Sequence, residues 1–269
     1  MKELTVKGRI EVQKIFSVEL VERFIKFASV SEKSASTYMT SLKQLFKYFT
    51  ANGIKNPTRE NICDWRDSLI DGGKSASTVQ LYLSACKLFF RWLNQEGIYS
   101  NVADNIKSRV KISHEHKKDA LSAKQAKDLL KSTRGSKLID KRNAAIVALM
   151  MTAGLRTIEI CRANVEDIRN VGGATFLFVQ GKGRSEKAES VRLAPQVLSL
   201  IKSYLQARGN ISTDEPLFVS TSNRCKNSRL DTQTIRKMIK SKLRNIGLDS
   251  KRLTAHSLRH TAATTMIIA

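Results

Sequence analysis

Residues 253–269, LTAHSLRHTAATTMIIA, place three side chains that could act on a phosphate within five positions. His256, Arg259 and His260 stand at i, i+3 and i+4, which puts them on one face of a helix. A histidine near neutral pH can move a proton, and a guanidinium offers a planar fork to phosphate oxygens. The same pattern is compatible with an exposed basic helix end, so its meaning depends on the rest of the chain.

A second arginine follows a long apolar run. Residues 140–156, DKRNAAIVALMMTAGLR, are apolar all round in the middle, which predicts a buried central helix that ends at Gly154. Arg156, in TAGLRTIEI (152–160), would then be partly enclosed and would need an anion to neutralise it. Taken alone, an ion pair with Glu159 at helical spacing is the simpler interpretation.

A change of periodicity separates the two arginines. ATFLFVQGKGRSEKAESVRLA (174–194) predicts a β-hairpin with Lys182 in a Gly-Lys-Gly turn. A lysine in such a turn can protonate a leaving oxygen, although Arg184 and Lys187 lie in the same loop. Two arginines, a histidine and a lysine, without a phosphate-binding glycine loop or a cluster of acidic residues, indicate attack on a phosphate that uses no metal and no cofactor.

The charge of the chain indicates a polyanionic partner. Its 269 residues contain 47 Lys and Arg against 24 Asp and Glu, a net charge of +23. Residues 1–112 hold 18 basic and 11 acidic side chains, and the remainder hold 29 and 13. Two basic halves favour a clamp around duplex DNA over a merely soluble basic protein. The four cysteines show no paired spacing and no apolar run is long enough to span a bilayer, so we expect a cytoplasmic protein that does not contact membranes.

Helical periodicity dominates the chain and predicts a mainly α fold with a small β-hairpin or sheet, an α+β class. Residues 105–120 are polar, charged and weakly periodic, which is typical of a linker. We therefore predict a helical domain at 1–106, a linker at 107–119 and a second domain at 120–269. Helices are predicted at 17–29, 34–54, 58–73, 75–97, 120–133, 140–154, 195–208, 231–247 and 254–269.

The pentapeptide KSAST occurs at 33–37 and again at 74–78, each time at the predicted start of an amphipathic helix. These residues could be ordinary helix caps, or they could bind DNA phosphates, and one side chain can do both. A strongly basic stretch, 224–259, adds further candidates. The predicted DNA contacts are Lys33, Ser34, Lys43, Lys74, Ser75, Thr78, Lys87, Arg91, Arg184, Arg229, Arg236 and Lys240.

The three ordered motifs, TAGLRTIEI, QGKGRSEKAESVRLA and HSLRHTAAT, resemble those of tyrosine recombinases of the phage-integrase and Xer type. The resemblance covers nearly the whole chain, because the helical amino-terminal half is similar to the SAM-like core-binding domain of that family. It implies that Arg156 and Arg259 bind the scissile phosphate, that Lys182 is the general acid for the 5′-hydroxyl, and that His256 assists proton transfer. It also implies that Glu159 braces the site.

The family pattern further requires a His or Trp and then a nucleophilic tyrosine beyond the H-x-x-R motif. The tyrosines of this chain, Tyr38, Tyr48, Tyr82, Tyr99 and Tyr204, all precede His256. We therefore expect a chain that is truncated at its carboxyl end before the nucleophile, that binds duplex DNA and that forms no covalent 3′-phosphotyrosine link. The complete enzyme would act as a homo-tetramer on two duplexes, and this chain would assemble weakly, down to a monomer.

Two alternatives remain open from the sequence. The chain could be a non-catalytic DNA-binding remnant or regulator, or it could resemble a type IB topoisomerase, which uses the same chemistry as a monomer. The motifs are shared by recombinases of phages, of other mobile genetic elements and of chromosome-resolution systems, so all three origins stay open.

Overall fold

The computed structural model describes residues 18–109, 119–181, 183–184 and 186–268, with side chains omitted at 18 and 264–268. The chain divides into two compact units, Met1–His114 and Glu115–Ala269. Each unit has its own hydrophobic core. The predicted linker, 107–119, falls at this division, but most of it lies outside the described residues, so its boundaries stay a prediction.

Four helices form the described part of the first unit: α1 Val18–Ala28, α2 Glu32–Ala51, α3 Arg59–Asp71 and α4 Ala76–Gln95. The apolar positions of each helix recur every three or four residues and therefore share one face. Aromatic side chains on these faces fill the space between the helices. Phe24 of α1 meets Phe89 of α4 edge to face at 5.2 Å between ring centroids. Trp65 and Trp92 are almost completely buried in the same core.

The two KSAST pentapeptides lie at different positions relative to the starts of their helices. In the second copy Ser75 is the N-cap of α4, and its hydroxyl accepts a hydrogen bond from the amide of Thr78 at 3.3 Å. The first copy lies inside α2, because Ser31 is the N-cap and accepts from the amide of Ser34 at 3.4 Å. The prediction that α2 begins at Ser34 was therefore wrong, since an earlier serine satisfies the free amides of the first turn.

The second unit is built around a buried helix, as predicted. Its elements begin with α5 Ala123–Ser132, α6 Leu138–Ala153 and α7 Thr157–Arg162, and a 3₁₀ turn follows at Val165–Asp167. Every residue from Arg142 to Met150 on α6 is buried, which explains why the helix is apolar all round. After the sheet, the chain continues through α8 Pro195–Arg208, α9 Thr232–Asn245 and α10 Ala255–Ile268.

The sheet of the second unit has three antiparallel strands in the order β1 Ile168–Val171, β2 Ala174–Val179 and β3 Glu189–Arg192. The predicted hairpin is confirmed as β2 and β3, with Val179 opposite Glu189 in register. The sequence analysis missed β1, whose hairpin with β2 turns through Gly172 and Gly173, both with positive φ. A Gly-Gly pair between short apolar runs is a recognisable signal for such a turn.

The first described residues of the second unit are tied to the region where α10 begins. The guanidinium of Arg252 donates to both carboxylate oxygens of Asp119 at 2.7–2.9 Å. The amide of Leu121 donates to the hydroxyl of Thr261 on α10 at 2.9 Å, and that hydroxyl donates to the carbonyl of Ser257. The chain that follows the predicted linker is therefore fixed to the helix that carries His256 and Arg259.

Candidate active site

Arg156 is held at the turn between α6 and α7. Gly154 ends α6 with a left-handed φ of 62°, and Arg156 is the N-cap of α7. The two carboxylate oxygens of Glu159 accept from the backbone amide and from the guanidinium of Arg156, both at 2.7 Å. The Glu159 side chain is 3% exposed and the Arg156 side chain 44% exposed, so the buried carboxylate leaves part of the guanidinium open to an anion.

The helix α10 carries the second arginine. Arg259 is half-buried and donates from its guanidinium to the carbonyl of Gly154 at 2.6 Å. The same turn therefore carries one arginine and accepts a hydrogen bond from the other. His256 is exposed one turn earlier, and its ring meets that of His260 edge to face at 4.8 Å between centroids.

Both arginines line one cleft of about 470 Å³ in the second unit. Its walls come from the turn 153–156, from β2 and β3 and from α10, and they include Glu159 and apolar side chains such as Val179 and Val191. Apolar walls lower the local dielectric and strengthen the attraction between the guanidiniums and an anion. The structure thus brings together Arg156, Glu159 and Arg259, whereas His256, one turn before Arg259 on α10, is not among the residues that line the cleft.

Glu189 and Ser190 of β3 also line the cleft, and the sequence analysis missed both. The carboxylate of Glu189 lies 3.4 Å from Nε of Arg184, one of the predicted DNA contacts. It also lies against Gly181, where an added Cβ would be 3.1 Å from the Glu189 Oε1. The position of this acidic residue follows only from the packing of the chain, because alternation along β3 does not say which of its side chains face the cleft.

Lys182, the predicted general acid, lies outside the described residues. The two other cations of that loop are both ion-paired in the structure. Arg184 is paired with Glu189, and Nζ of Lys187 lies 2.6 Å from the Oδ2 of Asp167, which is 1% exposed. The two alternatives to Lys182 are therefore each paired with a carboxylate. The assignment of the general acid stays a prediction.

The predicted DNA contacts of the second unit differ in their surroundings. The guanidinium of Arg229 donates to the carbonyl of Cys161 at 2.9 Å and to the side-chain oxygen of Asn164 at 2.7 Å. Lys240 donates to the carbonyl of Ser250 at 2.7 Å and pairs with Asp249 at 2.8 Å. Arg236 is exposed on α9. The hydrogen-bonding groups of Arg229 and Lys240 are thus largely engaged within the chain.

The predicted contacts of the first unit lie on α2, on α4 and immediately before α4. Ser75 and Thr78 are also joined by their hydroxyls at 2.8 Å, which is a capping arrangement. The remaining members are the helix residue Ser34, which is half-buried, and five basic residues. Of these five, Lys87 is half-buried. The other four are exposed: Lys33, Lys43, Lys74 and Arg91.

The tyrosines are used in packing. Tyr204 of α8 is completely buried, and its hydroxyl accepts from the amide of Val219 at 3.2 Å. Burial raises the pKa of Tyr204 above its ordinary value, which disfavours the phenolate. The four others are partly buried against the core of the first unit: Tyr38, Tyr48, Tyr82 and Tyr99.

Within the described residues, no group of three or more His, Cys, Asp or Glu side chains is arranged to hold a metal ion. Among the same residues, no helix has the length and the apolar character needed to cross a bilayer.

Comparison with known families decides the membership of the chain. Residues 119–269 match the family model described as the phage integrase family, and residues 20–97 match the N-terminal SAM-like domain of phage integrases. The chain belongs to the phage integrase family of tyrosine recombinases. The SAM-like match covers most of the four helices of the first unit, and the integrase match covers the whole cleft.

Archaeal and bacterial tyrosine recombinases are similar over most of their length. Tyrosine recombinase XerA of Pyrococcus furiosus is 27% identical over 95% of this chain and 82% of its own length. Tyrosine recombinase XerD of Halalkalibacterium halodurans is 25% identical over 92% of this chain and 83% of its own length.

Solved structures of two recombinases share the fold. The site-specific recombinase XerH, in a post-cleavage complex with a palindromic difH substrate, gives a TM-score of 0.73 at 22% identity and covers 94% of this chain and 74% of its own. A lambda integrase dimer bound to a COC′ core site gives a TM-score of 0.66 at 19% identity, over 95% and 89% of the two chains.

Proposed function

We propose that this tyrosine recombinase acts in site-specific DNA recombination by binding duplex DNA and holding one phosphodiester in the cleft of the second unit. The observation that carries the proposal is the convergence of Arg156 and Arg259, from separate helices, on one cleft. Two guanidiniums can each donate to the non-bridging oxygens and stabilise the negative charge that these oxygens carry during transfer. The net charge of +23 supports DNA as the partner.

The proposed roles of the site residues rest on the family and, for the residues that the structure describes, on their placement. Arg156 and Arg259 bind the phosphate, and Glu159 orients Arg156 through two hydrogen bonds. Lys182 protonates the departing 5′-oxygen, which leaves as a hydroxyl, and His256 assists proton transfer from its position on α10, one turn before Arg259. In the complete reaction a tyrosine attacks the phosphate and forms a 3′-phosphotyrosine, and strand exchange follows in a tetramer on two duplexes without a metal or ATP.

Residues 1–269 contain no tyrosine after His256, and Tyr204, the one tyrosine of the second unit, is buried away from solvent. These residues should therefore hold DNA without forming a covalent adduct. The dissociation constant for duplex DNA should rise steeply with salt, because a protein that makes roughly six to ten phosphate contacts loses about 10³–10⁵-fold in affinity between ~50 and ~200 mM salt. Fluorescence anisotropy with a labelled duplex measures this dependence, and affinity that ignores salt would contradict the proposal.

The covalent step is tested with duplexes that the chain itself selects from a random library. Each selected duplex is nicked so that a cleaved strand cannot be religated, and the mixture is denatured in SDS. We expect free protein and free DNA only. A protein–DNA adduct that survives SDS would show that one of the present tyrosines is a nucleophile.

The arginines are tested by Arg156→Ala and Arg259→Ala in the same binding assay. Each should weaken binding because it removes a positive charge from the cleft. Arg134→Ala, an exposed arginine outside the cleft, is the matched control for loss of charge. Equal effects of all three variants would favour diffuse electrostatic binding over a phosphate site at the cleft.

A further inference from the structure

Helix α7 is too short to be stable by itself. It spans six residues, Thr157–Arg162, and Arg156 stands at its N-terminal end. Isolated helices shorter than about 12 residues are marginal in water, so contacts outside the helix must fix its position. Its last carbonyl groups have no partner within the helix and need donors from elsewhere.

Arg229 supplies those donors at the end of α7. One terminal nitrogen of its guanidinium donates to the carbonyls of Cys161 and Ala163, at 2.9 and 3.3 Å, and the other donates to the side-chain oxygen of Asn164 at 2.7 Å. A fixed positive charge at a helix C-terminus also interacts favourably with the helix dipole. The guanidinium thus clamps residues 161–164.

The backbone around Arg229 is tied to the helix on the other side of the turn. Arg229 forms an isolated β-bridge with Val219, whose carbonyl accepts from the guanidinium of Arg142 on α6 at 2.9 Å. Arg142 is 3% exposed, and its other partners are the side chains of Asn143 and Thr221. The segment 219–229 therefore contacts the beginning of α6, through Arg142, and the end of α7, the two helices that the turn with Arg156 connects.

We infer that Arg229 is a positioning residue for Arg156: by clamping the C-terminal end of α7, it fixes the helix whose other end presents Arg156 to the cleft. This inference rests on the proposed function of Arg156 as a phosphate-binding residue. It is an alternative to the DNA contact that the sequence predicts for Arg229, and its support is that three hydrogen bonds of this exposed arginine go to residues 161–164.

The test measures binding of inorganic phosphate through the Nε–Hε NMR signals of Arg156 and Arg259. Arg229→Ala should weaken phosphate binding roughly three- to tenfold, as expected when a helix end loses its capping partner. The amides of Glu159 and Ile160, which donate to the carbonyl of Arg156, should exchange with solvent faster in the variant. A role in global stability alone would lower the melting temperature and leave the phosphate affinity of the folded protein unchanged.

Two further variants complete the experiment. Arg224→Ala removes an exposed arginine from the same segment and should leave phosphate binding unchanged. Arg229→Lys keeps the charge but cannot reach all three acceptors, so a smaller loss, roughly two- to threefold, is expected. If Arg229→Ala does not fold, Arg229→Lys carries the test, because a phosphate affinity equal to that of the original chain would overturn the inference.

Binding of duplex DNA separates the two possible roles of Arg229. A DNA phosphate contact predicts that Arg229→Ala reduces the slope of log affinity against log salt by about one. That result, together with unchanged phosphate binding in the cleft, would overturn the inference. Arg156→Ala distinguishes the two proposals: if phosphate still binds the cleft in that variant, the proposed function is what fails.

Discussion

At the scale of single residues, the Glu159 carboxylate controls the direction of Arg156 because its two oxygens bond to different hydrogens of the same residue. One oxygen accepts the backbone amide and the other accepts the guanidinium, both at 2.7 Å. The carboxylate is buried and the guanidinium is partly exposed. The ion pair therefore fixes the orientation of Arg156 while part of its guanidinium stays accessible. The ion pair and the phosphate site, which were alternatives in the sequence, are therefore compatible.

Replacing Glu159 tests this arrangement. Glu159→Ala should lower the free energy of unfolding by about 1–3 kcal/mol, because a charged hydrogen-bonded pair is lost at a buried position. Glu159→Gln should cost less, since the amide oxygen can still accept from the backbone of Arg156. Urea denaturation followed by circular dichroism measures both, with Glu22→Ala on the exposed face of α1 as the control. Stability of Glu159→Ala equal to the original chain would contradict the bracing role.

The cysteines should differ in reactivity. Hydrogen bonds from Ser220, and then from Ser222 and Ser228, hold the pKa of the exposed Cys225 thiol below its usual value. Burial raises the pKa of Cys161 to about 12 and raises that of Cys86 as well.

A lowered pKa means that the reactive thiolate forms at lower pH. Iodoacetamide should therefore modify Cys225 before the buried cysteines, and the rate of Cys225 modification should rise at a lower pH than for an ordinary thiol. Peptide mass spectrometry at limiting reagent measures the order, with Cys225→Ser as the control. Modification of Cys86 or Cys161 first would show that the segment around Cys225 is arranged differently.

At the scale of the elements, α6 and α10 approach each other at Gly154. Its backbone has a φ of 62°, and a Cβ added there would lie 3.5 Å from the Cβ of Ala262 on α10. The carbonyl of the same glycine accepts from Arg259. The contact between the two helices therefore sets where the second arginine stands relative to the first.

Gly154→Ala should destabilise the protein by about 1–2 kcal/mol, the cost of a side chain in the left-handed region. It should also weaken DNA binding, because a change in the turn moves the acceptor of Arg259. Gly172→Ala is a matched control: its φ is also positive, but nothing lies within 4 Å of the added Cβ, and the glycine is in the turn between β1 and β2. Equal losses of DNA affinity in the two variants would contradict a specific effect at the cleft.

At the scale of the whole molecule, the chain comprises two units with separate cores. The described residues at either end of 110–118 are each fixed within their own unit: Arg109 pairs with Asp67 at 3.2 Å, and Asp119 pairs with Arg252 at 2.7 Å. Contacts of this kind protect the flanking chain from proteases.

Brief trypsin digestion should therefore cut first after Lys111, Lys117 or Lys118 and release two fragments that resist further digestion. Gel electrophoresis and intact mass spectrometry identify the cuts. A variant with glutamine at these three lysines should be cut more slowly, and early cuts inside the helices of either unit would contradict the predicted linker at 107–119.

Features that depend on residues close together in the sequence could be predicted. Features that depend on contacts between distant parts of the chain could not. The β2–β3 hairpin and the helices other than the short α7 follow from periodicity along the chain, and local motifs singled out Arg156, Glu159 and Arg259, which the structure brings to one cleft. The predicted start of α2 was wrong because Ser31 and Ser34 are both possible N-caps, and the helix uses Ser31. The partners of Arg229 and Lys240 could not be predicted because their acceptors, such as the carbonyls of Cys161 and Ser250, are set by the packing of the chain.

The bidentate contact between Asp119 and Arg252 has a consequence for protein engineering. Asp119 bonds to Arg252 just before α10, and Leu121 bonds to Thr261 within α10, two residues beyond Arg259. A chimera that joins this second unit to a foreign targeting module should therefore place its junction before Asp119. A junction after it would remove the ion pair with Arg252 that ties the start of this unit to the segment before α10.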